Sequence, residues 1–283
     1  MKKVILSVVG LLILFCISVT VAAADIVDNF DSYNTGALNT ASGGKWKTWN
    51  GTSVDAQVVA QGASAPNAML QDGLGGIPDV VTYSPTNLLG SAGAVAKLSF
   101  DFFAHEPHPT GDMLSEFVLG AGNPSNFSID YNNLVAQIWI DWAGDNPGTV
   151  PINFYDNSPG KGGADYGNTT IGFVNAEGWH TIELLVYQTV ADMTANNAAD
   201  SDGYFDVFVD GNKLATFDFG LDNPNGLNAI EIDSMSTDAS RGYHLYDNIS
   251  LTSSTAAVPE PATMLLLGLG LLGLVPMRKK LLK

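Results

Sequence analysis

The 283-residue chain sets 29 acidic residues against 12 Lys and Arg, for a formal net charge of −17, and 46% of its residues are hydrophobic. That balance excludes the basic footprint of a nucleic-acid binder and disfavours docking on anionic membranes. A single cysteine, Cys16, excludes an intrachain disulfide and any paired-thiol chemistry.

The N-terminus reads as a secretory signal peptide over residues 1–24. Met1-Lys2-Lys3 is its basic region, Val4 to Val21 its apolar stretch, and Ala22-Ala23-Ala24 a small-residue cleavage site before Asp25. Cys16 falls inside this peptide, so the exported portion is expected to carry no thiol. From Asp25 to Ala257 six basic residues face 28 acids, a net charge of −22. Most of those acids are Asp, the usual residue of solvated turns.

Between the two ends no long stretch has helical periodicity. Short alternating or β-branched runs are separated by Gly, Asn, Asp and Pro, an all-β pattern. Strands are expected at 25–30, 54–60, 68–71, 80–84, 95–104, 113–119, 134–142 and 152–155, then at 171–174, 179–188, 204–209, 214–219, 229–235 and 243–251. So many short strands predict one domain, residues 25–252, of two packed antiparallel sheets. In the strand at 95–104, Val95, Leu98, Phe100 and Phe102 form the apolar face. Asp210-Gly211 is a hairpin signal, since both residues tolerate positive φ. Residues 253–257 form a small-residue linker.

Three places carry a resemblance. Gly178-Trp179-His180-Thr181-Ile182-Glu183-Leu184 followed by Gly203-Tyr204-Phe205-Asp206-Val207-Phe208-Val209-Asp210-Gly211 resembles paired strands of laminin-G-like and concanavalin A-like lectin/glucanase domains. Asp28-Asn29-Phe30-Asp31-Ser32-Tyr33 and Tyr246-Asp247-Asn248-Ile249-Ser250-Leu251 resemble the first and last strands of such jelly rolls. The resemblance implies that those two strands lie side by side and that Trp179 is a core residue. It also implies a structural calcium where they meet, with Asp28, Asp31 and Asp247 as side-chain ligands.

Glu231-Ile232-Asp233-Ser234-Met235-Ser236 resembles the carboxylate strand of family 16 glucanases, with Ser236 standing where the last acid belongs. Without that partner a retaining mechanism lacks its acid/base group. Glu231 and Asp233 are therefore expected on the polar face of an ordinary strand, and the domain is expected to be non-catalytic. Sugars present apolar faces rimmed by hydroxyls, so their sites pair a flat aromatic with Asp, Asn or Gln. Trp139 and Asp141 fall on one face of a strand, with Gln137 joining them two residues earlier. These three are the expected binding residues, and Trp46 and Trp49 in a Gly-rich segment are the alternative platform. Asp200-Ser201-Asp202-Gly203 fits an EF-hand loop poorly, and His105-Glu106-Pro107-His108 lacks a third zinc ligand. Both are expected to be loops.

The tail combines Val258-Pro259-Glu260-Pro261, an apolar run from Met264 to Val275, and Arg278-Lys279-Lys280. The prolines disfavour helix before them. The uncharged span 262–277 would cover roughly 24 Å at 1.5 Å per residue, a short anchor for a ~30 Å hydrocarbon layer. Its basic end would stay on the cytoplasmic side. This order resembles the PEP-CTERM sorting signal of exosortase substrates, which implies cleavage near Pro259 to Pro261 and attachment or release at the cell envelope. The expectation is thus an exported β-sandwich associated with exopolysaccharide. An adhesive calcium-stabilised protein and a divergent polysaccharide-degrading enzyme are the alternatives.

Overall fold

The computed structural model describes residues 26–49, 55–63, 66–72, 79–89, 94–104, 115–123, 125, 128–140, 148–156, 167–188, 203–218, 226–234 and 243–254. The expected signal peptide and tail lie outside them, as do Asp141, Asp200 to Asp202 and the 105–108 segment. No helix among the described residues is long and apolar enough to cross a membrane.

The described residues form sixteen strands and one helical turn. In chain order the strands are β1 Ile26–Asp28, β2 Gly36–Ala37, β3 Lys47–Thr48, β4 Gln57–Val59, β5 Ala68–Asp72, β6 Asp79–Tyr83, β7 Val95–Ala104 and β8 Ser115–Asn123. Then follow β9 Ser128–Ile140, β10 Thr149–Asp156, β11 Gly167–Asn175, β12 Gly178–Gln188, β13 Gly203–Val209, β14 Asn212–Asp218, β15 Ala229–Ser234 and β16 Tyr243–Ser254. The turn α1, Leu38–Ala41, sits between β2 and β3 and buries Leu38. One sheet has nine strands, ordered β14-β13-β12-β7-β16-β5-β4-β2 with β1 also paired to β16; the other has seven, ordered β11-β10-β9-β8-β15-β6-β3. Every pairing is antiparallel.

Side-chain alternation builds the core between the sheets. On β7 the inward residues are Ala96, Leu98, Phe100 and Phe102, all fully buried. The apolar face thus runs in strict alternation from Ala96, and the expected place of Val95 falls outside it. From the second sheet Phe117, Leu119, Ile138, Ile140, Ile230 and Ile232 point back at it. Phe100 and Phe117 stack at 4.1 Å across the layers, and Tyr246 lies against both rings. Burying one such ring contributes about 2 to 3 kcal/mol.

The expected neighbours are found. β1 pairs with the last strand through Ile26↔Leu251 and Asp28↔Ile249, and Asp210 and Gly211, at φ 49 and 76, make the two-residue turn between β13 and β14. His180 anchors that turn. Its Nδ1 lies 2.8 Å from Asp210 Oδ2 and its Nε2 2.8 Å from the Asn175 carbonyl, while the Thr181 N–H donates to Asp210 Oδ1.

Two tryptophans exchange their expected places. Trp179 stands opposite Phe103 on the outer face of the nine-stranded sheet, ring centroids 5.7 Å apart, and is half-buried there. Trp46, expected as an exposed platform, is fully buried against Phe30 in the core. The physical reason is register: Ile182 and Leu184 take the inward positions of β12, which turns Trp179 outward.

Candidate functional site

Alternation also determines what the outer face of the seven-stranded sheet carries. Directly opposed residues in antiparallel strands point to one side, with Cβ atoms about 5 Å apart. Across five adjacent strands the register aligns Asp79 of β6, Asp233 of β15, Glu116 of β8, Trp139 of β9 and Asn153 of β10. The parallel row two residues away runs Lys47, Val81, Glu231, Val118 and Gln137. A small apolar cluster of Val81, Val118, Ile129 and Ala229, with Trp49 and Tyr83 against it, forms one side of the face.

Gln137 and Trp139 therefore share a face, and Trp49 shares it too, whereas Trp46 points the other way into the core. Glu231 and Asp233 do lie on the non-core face of their strand, but their neighbours there come from strands far away in the chain. Among the described residues, Glu116 and Asp79 bring the carboxyl groups of this face to four. Glu231 is fully buried, Glu116 is 3% exposed and Asp79 is 9% exposed. Part of this cover comes from the start of β9, where the Ile129 N–H donates to Glu231 Oε2 at 3.3 Å. Asp233 and Trp139 are the half-open members of the row. The signal that could have found Glu116 is its position between Ser115 and Val118 in an apolar strand, where an acid at period two must meet either a core or a partnered face.

Crowding of carboxyls under low-dielectric cover favours their neutral forms. Burial first, then the charges of Glu231, Asp233 and Glu116, pushes Asp79 up to about 9. Burial first, then Asp233 and Glu231, pushes Glu116 up to about 8, and the Trp139 indole opposite offsets part of that rise. Among the described residues, Asp79 Oδ1, Glu116 Oε1 and Gln137 Oε1 are buried side-chain atoms without a hydrogen-bond partner.

The expected calcium ligands sit elsewhere, at the β1 and β16 end of the other sheet. Asp28 Oδ2 accepts from Tyr33 Oη at 2.6 Å and Trp46 Nε1 at 2.8 Å, and Asp28 Oδ1 accepts from the Phe30 N–H at 3.0 Å. The Lys45 ammonium lies 3.1 Å from Asp28 Oδ2 and donates to the Val27 carbonyl at 2.6 Å. Asp28 Oδ2 thus meets three donors, one of them the Lys45 ammonium, while Oδ1 accepts one. Asp31 accepts from Asn29 Nδ2 at 2.9 Å. Asp247 is fully buried and accepts the Ala63 and Asn248 N–H groups at 2.8 and 2.7 Å. Among the described residues no three acidic or imidazole side chains converge as a metal-holding group.

Comparison with known proteins adds two findings. Residues 257–279 match the PEP-CTERM protein-sorting motif, which includes Val258, Pro259, Glu260, Pro261, Arg278 and Lys279 and stops one residue short of Lys280. No curated protein matches the chain. Among solved structures the chain is similar to the T. cruzi calreticulin globular domain, at TM-score 0.50 and 12% identity over 80% of this chain and 88% of that one. It is also similar to an endo-1,3-beta-glucanase from Streptomyces sioyaensis, at TM-score 0.47 and 14% identity over 81% and 95%. A third is a sialidase, at TM-score 0.49 and 14% identity over 83% of this chain; the chain spans only 19% of that protein. At such identities the likeness shows the fold alone. The domain is an antiparallel jelly-roll sandwich, and the chain ends in a sorting motif.

Proposed function

We propose that the chain is an exported, exosortase-processed protein of the cell envelope or extracellular matrix, associated with exopolysaccharide. Its sandwich holds carbohydrate, without cleaving it, on the outer face of the seven-stranded sheet. The observation that carries the binding reading is the row itself. A half-open indole, Trp139, stands between Glu116 and Asn153 with Gln137 beside it, which pairs an apolar platform with hydroxyl-binding groups. The sorting motif at 257–279 supports the address. In this reading the apolar run of the tail anchors the precursor in the inner membrane until an exosortase-type enzyme cuts near Pro259 to Pro261. Retention of the full-length protein on immobilised polysaccharides tests the binding. Failure to be retained on any polymer of a broad panel would sink it.

One observation favours a second reading, acid/base cleavage of the bound polymer. Asp233 directly faces both Glu116 and Asp79 on adjacent strands, where Cβ atoms lie about 5 Å apart, so neighbouring carboxyls of the kind acid/base cleavage needs are present. Release of reducing ends from a retained polymer would replace the non-catalytic reading with this one.

A further inference from the structure

We infer that the Asp79–Asp233–Glu116–Trp139–Asn153 row takes an uncharged polysaccharide, with Asp79 and Glu116 acting as carboxylic acids that donate hydrogen bonds to its hydroxyls, and rejects uronate-bearing and sulfated polymers. The inference rests on the carbohydrate reading above and names the class of polymer within it.

The argument begins with charge. Facing the row are Lys47 from β3, Asp79 and Tyr83 from β6, Glu116 from β8, and Glu231 and Asp233 from β15. The described parts of β9 and β10 add Gln137, Trp139 and Asn153, which do not titrate. Among the described residues, four carboxyls in two adjoining rows meet one ammonium. They cannot all be ionised under this burial, because like charges on neighbouring strands repel and no bulk water screens them. A polymer carrying carboxylates or sulfates would add to that repulsion, and the −22 charge of the exported chain opposes its approach as well. A neutral polymer meets no such barrier.

The hydrogen-bond inventory points the same way. A carboxylate only accepts, whereas a protonated carboxyl both donates and accepts, as a sugar hydroxyl does. Gln137, 7% exposed and not a member of the acidic set, leaves Oε1 without a partner on this face. The carboxyl atoms Glu116 Oε1 and Asp79 Oδ1 are in the same condition. Buried acceptors and donors left open in this way are costly unless a ligand or water completes them. Trp139, half-open at the centre of the row, supplies the apolar surface for a sugar ring. With Asp79 near 9 and Glu116 near 8, both remain acids at neutral pH and lose their protons above it. Binding therefore weakens in alkali.

The test measures retention of the full-length protein on immobilised β-glucan, galactomannan and dextran, and on alginate, hyaluronan and dextran sulfate, at pH 6 and pH 10. Near-UV circular dichroism confirms the fold at both values. The expected result is retention by at least one neutral polymer at pH 6, at least fivefold weaker at pH 10, with the anionic polymers not retained. Glu116→Gln, which keeps an N–H donor that does not titrate, should bring the pH 6 to pH 10 ratio toward one. Preference for an anionic polymer, or neutral-polymer binding that is unchanged at pH 10 in the folded protein, overturns this inference and leaves the carbohydrate reading standing. Absence of retention on all six polymers overturns both.

Discussion

The Trp46 indole donates to Asp28 Oδ2 at 2.8 Å inside the core, beside a Tyr33 hydroxyl that donates to the same oxygen at 2.6 Å. The Asp28 carboxylate ties β1, the 30–33 turn and the residue before β3 into one knot. The knot accounts for the left-handed conformation of Phe30, at φ 57, because its N–H is held by Asp28 Oδ1 and its carbonyl accepts from the Tyr33 N–H. Asp28→Ala would orphan the buried Trp46 and Phe30 donors and the Tyr33 hydroxyl, costing about 3 kcal/mol or more at about 1 to 3 kcal/mol per buried group. Urea unfolding of the variant measures the loss. A Tm that falls on chelation with EDTA would show a metal linked to folding, and an unchanged Tm would argue against one.

The carboxyl row makes stability depend on pH in an unusual direction. Below about pH 4 Asp79 and Glu116 are protonated in both folded and unfolded chains, given ordinary carboxyl values near 4. From there up to about 8 for Glu116 and about 9 for Asp79 only the folded chain keeps these protons, so unfolding releases them and stability falls as pH rises. The slope contributed by each proton reaches at most about 1.4 kcal/mol per pH unit. A series of Tm measurements from pH 4 to pH 9 should decline over this window, and Asp79→Asn or Glu116→Gln should flatten it. A Tm that rises steadily from pH 5 to pH 8 would contradict the burial of these groups.

Trp139 and Trp46 should separate function from folding. Trp139→Ala removes the half-open indole and is expected to weaken polysaccharide retention by about tenfold or more, in the range of a binding hot spot, with little change in Tm. Trp46→Ala should instead lower stability by about 3 to 5 kcal/mol, since it empties a core position. Calorimetry and a retention assay on the two variants give the comparison.

Gly211→Val should destabilise the β13–β14 turn by about 1 to 3 kcal/mol, because a β-branched residue is strained at φ 76. Asp210→Ala should add a separate loss, freeing the Thr181 N–H and removing the acceptor beside His180 Nδ1. Hydrogen exchange of the β12–β14 amides reads both effects locally.

Processing is tested in the tail. Replacing Pro259, Glu260 and Pro261 by alanine in a host that carries an exosortase should leave a membrane-associated precursor that keeps its C-terminal basic residues. Mass spectrometry of the envelope and medium fractions distinguishes it from the processed wild type. Equal processing of the two would remove the motif's assigned role.

The sequence by itself determined most of the strands, though not the short β2 and β3, and the sorting motif. Period-two alternation, β-branched runs and an Asp-Gly turn carry that information locally, which is why β7 and the β13–β14 hairpin are found where the pattern puts them. The tail motif is local in the same sense and matches over residues 257–279. Which face of each strand meets the core was legible only in part. Trp46 and Trp179 are both aromatic residues in polar surroundings, and their burial depends on the register of neighbouring strands. The candidate site was less legible still. Asp79, Glu116 and Asp233 lie 37 and 117 residues apart in the chain, and only the pairing of β15 with both β6 and β8 brings them side by side. Ion pairing and proton affinity are set by distances across strands, and a linear pattern does not contain those distances. The tertiary structure thus decided that Asp79, Glu116, Glu231 and Asp233, which no linear pattern groups together, share one face of the sheet.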